Sequence, residues 1–307
     1  MNREAITIRI KELALEAGFT KAGITSATPF EDAASRLDEW VRRGMHGLMG
    51  YMERAHDKRR DVREILPEAK SILSLALNYY HPTATPEMKI SRYAWGDDYH
   101  EVVTEKLQAL LASIKALVPE AEGRYYVDTG PLMEKAIAER AGVGWIGKHT
   151  NVITREVGSW VFLAEIILNL DLIPDTPAED LCGTCNKCIE ACPTDAIVAP
   201  YQVDATKCIS YLTIELKAPQ EIPEEHAAKM EGWLYGCDIC QDVCPWNRFE
   251  APTPIQAFAP RTELLQLTAR SIEDMEQEEF STLMRRSPIK RTKLAGLKRN
   301  VKALQRR

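Results

Sequence analysis

Cys182-Gly183-Thr184-Cys185-Asn186-Lys187-Cys188-Ile189-Glu190-Ala191-Cys192-Pro193 is the stretch from which the rest of this chain can be read. Gaps of two, two and three residues before a proline suit thiolates that grip iron–sulfur cubes, three on one cluster and the fourth on another. A second run, Cys237, Cys240 and Cys244 before Pro245, supplies three more thiols. Repeating the first spacing would put a cysteine at 234, where Leu234 stands, and Cys208 is the one thiol left over. All 8 cysteines are then used, as two four-iron clusters require. Crossed ligation assigns Cys182, Cys185, Cys188 and Cys244 to one cluster, and Cys192, Cys208, Cys237 and Cys240 to the other. Tetrahedral zinc also takes Cys-x2-Cys pairs, but four thiols packed this closely with a following proline suit a cube better.

Cysteines two and three residues apart in a chain of 307 residues are metal ligands rather than a disulfide framework, which points to a reducing, cytoplasmic setting. Apolar residues at 45% and charged residues at 27% are ordinary for a soluble globular protein. The first helix carries Arg3, Glu4, Arg9, Lys11, Glu12 and Glu16 where an export signal would be apolar. The most apolar stretch, 160–172, is broken by Glu165, Asn169 and Asp171, so it does not span a membrane. Charge is uneven along the chain. Ten of the 39 Lys/Arg and none of the 45 Asp/Glu lie in 281–307, a basic end on an acidic body that suits either a polyanion partner or a solvated helical tail. Clusters side by side form an electron wire, and the residues before Cys182 suffice for a domain holding the substrate or second cofactor at its end.

Apolar periodicity predicts helices over 2–17, 31–43 and 98–117, the last with Val102, Leu107, Leu110, Leu111, Ile114 and Leu117 at helical spacing. Ser71–Tyr80 reads as a strand and Tyr125–Val127 as a shorter one. Asp128-Thr129-Gly130 then turns into a helix over 131–141 with Pro131 in its first position. Residues 151–168 predict two strands joined at 156–158. The order is mixed α and β without regular βαβ alternation. Proline-rich stretches at 174–180 and beyond Asn247 bracket the cysteines.

Two textual matches mislead. Gly142-x-Gly144-x-x-Gly147 spells the dinucleotide fingerprint but follows a helix and precedes strands, the reverse of what a phosphate-binding turn needs. Asp128-Thr129-Gly130 spells the aspartic-protease triplet in a single copy, whereas that chemistry shares a proton between two. Asp128 is then either a cap of its turn or a carboxylic acid at a strand end facing a site. The 6 histidines are scattered without ligand spacing, and there is no Asp-x-His-x-x-Gly to offer corrinoid cobalt a lower ligand.

Several runs taken together resemble epoxyqueuosine reductases: Arg92-Tyr93-Ala94-Trp95-Gly96-Asp97-Asp98-Tyr99-His100, Val127-Asp128-Thr129-Gly130-Pro131, Ala138-Glu139-Arg140-Ala141-Gly142 with Gly144-Trp145-Ile146-Gly147-Lys148, and Cys208-Ile209-Ser210-Tyr211-Leu212-Thr213. Leu181–Cys185 and Tyr235–Asp238 belong to the same pattern, which runs from about residue 5 to the tail. The resemblance implies an α/β fold (an α+β mixed sheet) in a cobalamin-binding catalytic domain over 1–175. A ferredoxin-like domain with two 4Fe-4S clusters follows over 176–250, then a helical, basic segment over 251–307, the remnant of a HEAT-like tRNA-binding region. The implied reaction reduces the epoxide of epoxyqueuosine at the tRNA wobble position to the alkene of queuosine. Base-off cobalamin takes electrons through the clusters from an external donor such as flavodoxin or ferredoxin. Asp128 is the implied proton donor, with its pKa raised by enclosure.

By position, the implied cobalamin contacts are Arg59, Ser91, Arg92, Asp128 and Lys148, with Val152, Ser159, Ser210 and Asp238. The partner is a tRNA with a queuosine-type anticodon, no membrane is involved, and a monomer suffices. Longer members continue past the point matching Arg307 into further repeats, so a short form is expected, with tRNA affinity the property most affected. Two other readings share features of this sequence. A corrinoid reductive dehalogenase would need an export signal, and a simple electron carrier would leave the first domain without a cofactor.

Overall fold

Ser71–Asn78 is buried along its whole length, which calls for a partner strand on each edge and packing on both faces. In the computed structural model, which describes residues 1–82 and 86–306, it is the second strand of a four-stranded sheet. The strands are β1 (Lys21–Ser26), β2 (Ser71–Asn78), β3 (Gly123–Tyr126) and β4 (Val161–Leu168). Their order is β1-β2-β4-β3, and every pairing is antiparallel. The parallel pairing of a mixed sheet is confined to a short ladder between Lys89–Ile90 and Trp233–Tyr235. Residues 151–168 do not form one simple hairpin: Val152–Ile153 pairs with Trp145–Ile146, and only Val161–Leu168 enters the main sheet.

Alternation along β2 sorts its side chains between two layers. Leu73, Leu75 and Leu77 pack with Ile10 and Ala14 of α1 (Arg3–Glu16) and with Leu107 and Leu110 of α3 (Tyr99–Leu117). Ile72 and Ala76 face the other way, toward Phe30, which precedes α2 (Glu31–Arg42), and toward Ile137 and Ala138 of α4 (Glu134–Arg140). Asp98 caps α3 by accepting from the His100 backbone N–H. Helix α4 begins at Glu134 rather than at Pro131, because the chain first makes a turn in which Asp128 takes a left-handed conformation, φ 56°.

The cysteine region consists of short helices and loops. It shares one core with residues 88–95 and with the C-terminal segment, in which α5 (Lys293–Leu304) packs beside Trp233–Tyr235. Arg299 of α5 is buried, donating to the carbonyls of Leu212 and Leu216. The basic end is thus part of the folded core and not a loose solvated helix. Among the described residues no helix is long and apolar enough to cross a membrane.

Candidate active site

The eight thiols are all free, and those that feel each other's charge divide into two sets. Cys182, Cys185, Cys188 and Cys244 form one, and Cys192, Cys208, Cys237 and Cys240 the other. Cys240 also senses Cys188, so the sets adjoin. Leu234 is fully buried in the middle of a strand, where a thiol could not reach a cluster. Cys208, at the N-cap of the helix Ile209–Ile214, lies near Cys192 and Cys237 instead. Burial and neighbouring thiolates push the Cys188 thiol up to about 11, and Cys240 is raised by the same causes. Four such thiols ionise together only around a multiply charged cation, which is what an iron–sulfur cube supplies. Among the described residues no three His, Cys, Asp or Glu side chains converge on a single point.

A cleft with three confluent lobes lies between the sheet domain and the second thiol set. The largest lobe, about 1110 Å³, is lined by Arg59, Asp128 and Arg291. A lobe of about 780 Å³ shares Asp128 and Arg291 with it and adds Tyr99, His100 and Ser210. The inner lobe, about 380 Å³, runs past Ser91, His149 and Ser210 to Cys208, Cys237 and Cys240. Among the described residues two buried donors lining these lobes have no partner: Arg59 Nε and His149 Nε2. Since His149 Nδ1 accepts from the Asn151 N–H at 3.2 Å, its proton sits on Nε2. Burial and the Lys135 charge pull His149 down to about 4, so the ring is neutral. The cleft therefore offers room and unsatisfied donors to a large ligand that carries acceptors.

Asp128 stands where the two outer lobes meet, its side chain 51% exposed. It is not a cap of α4. Its Oδ2 accepts from Tyr99 Oη at 2.7 Å and lies 3.2 Å from His100 Nε2, while His100 Nδ1 lies 2.7 Å from Asp98 Oδ1. Tyr99 is fixed by stacking on Phe162, centroids 4.3 Å apart and planes 7° from parallel. Desolvation pushes the Asp128 carboxyl up. The hydrogen bonds from His100 and Tyr99 and the charges of His100 and Arg291 outweigh it, holding the carboxyl below the ordinary aspartate value. This corrects the expectation of a raised pKa. Desolvation pulls His100 down, yet its bonds to Asp128 and Asp98 raise it to about 9. At neutral pH the proton of this chain is on the imidazole.

The other residues marked in the sequence divide by location. Arg59, Ser91 and Ser210 line the cleft. Arg59 donates to the carbonyls of Leu132 and Tyr51. Behind Ser91 lies the buried carboxylate of Asp238, which accepts from the Ser91 hydroxyl and from the Arg92 N–H. Arg92 also pairs with Asp242 at 2.7 Å and lies over the Trp160 ring at 4.7 Å. A Cβ on Gly236 would come within 2.5 Å of Ser91 Cβ, so only glycine lets the Cys237 loop approach this closely. The remaining three do not line the lobes. Lys148 donates to the carbonyls of Gly183 and Cys185 and to Asn186 Oδ1, which ties down the first cluster loop. Val152 is packed among Ala138 and Val143. Ser159 is buried on Asn247 and Gln241. Tyr99, Asp98 and His100 were visible in the sequence only as part of the run 92–100, without a role.

Comparison with known proteins finds relatives over nearly the whole chain. The family described as epoxyqueuosine reductase QueG matches residues 59–129, and the 4Fe-4S double cluster binding domain matches residues 181–247. An epoxyqueuosine reductase of Cellulophaga algicola is 49% identical over 298 residues, covering 96% of this chain and 97% of that protein. A crystal structure of epoxyqueuosine reductase with an epoxyqueuosine-modified tRNA-Tyr stem loop superposes with a TM-score of 0.90 at 35% identity, covering 99% of this chain and 81% of that one. A Bacillus subtilis structure, with its catalytic aspartate loop swung out of the active site, gives a TM-score of 0.90 at 34% identity, covering 99% and 82%.

Proposed function

The chain belongs to the epoxyqueuosine reductase family, and we propose that it reduces the epoxide of epoxyqueuosine, at the wobble position of a tRNA with a queuosine-type anticodon, to the alkene of queuosine. One observation carries this reading: an aspartate held by Tyr99 and His100 opens onto a cleft whose inner end is formed by Cys208, Cys237 and Cys240. Base-off cobalamin is the ligand that the cleft's size and its unpartnered donors Arg59 Nε and His149 Nε2 would suit. Arg59, Ser91, Ser210 and Asp128 would face it, with Arg92, Lys148, Val152, Ser159 and Asp238 around them. Bound there, it would supply the chemistry of low-valent cobalt, a reductant for the epoxide, with the two thiol sets positioned to hold the four-iron clusters that would feed it electrons.

The overall change takes two electrons and two protons: both epoxide C–O bonds break, a C=C bond forms and water leaves. Asp128 gives one proton to the leaving oxygen, and solvent at the open side of the cleft supplies the second. Because its carboxyl is ionised at rest, it draws that proton from His100 Nε2–H, 3.2 Å from Oδ2. Tyr99 keeps the same oxygen oriented, and Asp98 holds the far side of the imidazole. Outside the cleft, an external donor such as flavodoxin or ferredoxin would reach the first thiol set at the exposed residues Gly183, Thr184 and Asn186. The protein would act as a cytoplasmic monomer.

The test is anaerobic incubation of cobalamin-loaded, pre-reduced protein with an epoxyqueuosine-modified stem loop, followed by nucleoside mass spectrometry. Queuosine is expected. Unchanged epoxyqueuosine, with both cofactors present in the protein, would refute the reading.

A further inference from the structure

We infer that Glu134 is a positioning residue for Asp128: Glu134 and Glu165 share one proton as a carboxyl pair, and the pair pins the backbone of the Asp128 loop. The inference rests on the reading of Asp128 as the proton donor. Glu165 lies in the middle of β4, fully buried, on the face of the sheet that meets α4. Its cross-strand neighbour on β2 is Ser74, yet among the described residues neither its oxygens nor the Ser74 hydroxyl makes a hydrogen bond of good geometry. A buried carboxylate with no donor is strongly disfavoured.

Besides the neighbouring Ser74 hydroxyl, the group within hydrogen-bonding reach of Glu165 is the carboxyl of Glu134, the first residue of α4. Two carboxylates are acceptors only, so they can bond to each other only through a shared proton. Burial and the charge of the other member push Glu165 well above the usual carboxylate range. Burial and the Asp128 charge likewise push Glu134 up. The shared proton thus satisfies what is otherwise an orphaned core acid.

The other end of the pair reaches the loop. Glu134 Oε1 accepts from the Asp128 backbone N–H at 2.6 Å. Asp128 has a φ of 56°, a left-handed conformation that residues with a Cβ rarely hold without support. Glu134 provides that support six residues further on, and Glu165 holds Glu134 in turn. Starting α4 at Glu134 rather than at Pro131 is what brings its carboxyl beneath the loop. Neither glutamate lies on the proton path from His100, so their effect on the reaction is through the orientation of Asp128.

Glutamine at 134 supplies permanently what the protonated pair supplies: a carbonyl oxygen for the Asp128 N–H and a donor for Glu165. Alanine supplies neither. Glu134→Ala should lower kcat roughly tenfold, the scale of one hydrogen bond to a charged group, with KM for the stem loop and cofactor content unaltered. Glu134→Gln should recover at least about a third of the wild-type kcat, and hydrogen exchange at 128–130 should be fast in the alanine variant and slow in the other two. Wild-type kcat in Glu134→Ala, or equal impairment of both variants, would overturn the inference. Exchange needs no turnover: if wild-type protein makes no queuosine, the parent reading fails, and equal protection of the loop in all three proteins still decides against the pin.

Discussion

At Asp128 the hydrogen bonds that orient the carboxylate also keep it ionised, so under the proposed function the proton it would deliver is stored next door, on His100. The sign of the pH dependence follows. The imidazole's pKa is raised from 6.5 to about 9, so the stored proton, and the stability of its bonds to Asp98 and Asp128, are fully present below 6.5 and lost as pH rises through about 9. The single-turnover rate should be level across neutral pH and fall through about 9. His100→Gln should slow the chemical step by about 10²-fold, a usual share for one acid–base group, and abolish that alkaline limb. A limb that persists in the variant would move the store elsewhere. Asp128 was marked in the sequence by the resemblance that Val127-Asp128-Thr129-Gly130-Pro131 carries; on the residues alone it stood between a cap of its turn and an acid at a strand end. Its ionisation was not legible there, because the start of α3 and the end of β3 meet only in the fold, bringing His100 to a residue 28 positions away.

At the scale of elements, the cysteine ladder was readable because ligand spacing is local, and the gap at Leu234 identified Cys208 as the missing thiol by count. Only the fold explains the gap: position 234 is a core strand residue, fully buried. Cys208→Ala should therefore reduce bound iron from about eight to about four per chain, two cubes to one, and leave the set containing Cys182 with its cluster. Iron that stays at about eight would show that Cys208 is not a ligand. Elsewhere local rules were outweighed. Pro131 favours a helix start, but the left-handed backbone at Asp128 and the capture of Glu134 delay α4 to residue 134. The strand β1 carries no strong alternation of its own and exists through its pairing with β2.

Over the whole molecule, charge counted along the sequence overstates the basic surface. Arg291 is paired with Glu215, Arg286 with Glu101, Lys302 and Arg306 with Glu221, and Arg299 is buried in the core. Among the described residues of the segment, Arg285, Lys290, Lys293 and Lys298 carry no ion pair, and Lys290 lines the lobe that contains Asp128. These are the cations available to phosphate. Reversing two of them, Arg285→Glu with Lys290→Glu, should weaken stem-loop binding and flatten the slope of log affinity against log salt by about two, one per lost phosphate contact. An unchanged slope would assign the phosphate contacts to another face. Sequence periodicity cannot distinguish a paired cation from a free one, because the acids that neutralise the tail lie at 101, 215 and 221, in other elements.

The central claim, that Asp128 delivers the proton that opens the epoxide, is tested most directly by Asp128→Asn, which keeps the side chain's shape and removes the acid. Cobalt, iron and the visible spectrum should match the wild-type protein, and stem-loop affinity should be retained. In a single turnover from the pre-reduced state, mass spectrometry should find the epoxide intact over a period in which wild-type protein converts it to queuosine. Queuosine formed at the wild-type rate by the asparagine variant would contradict the account.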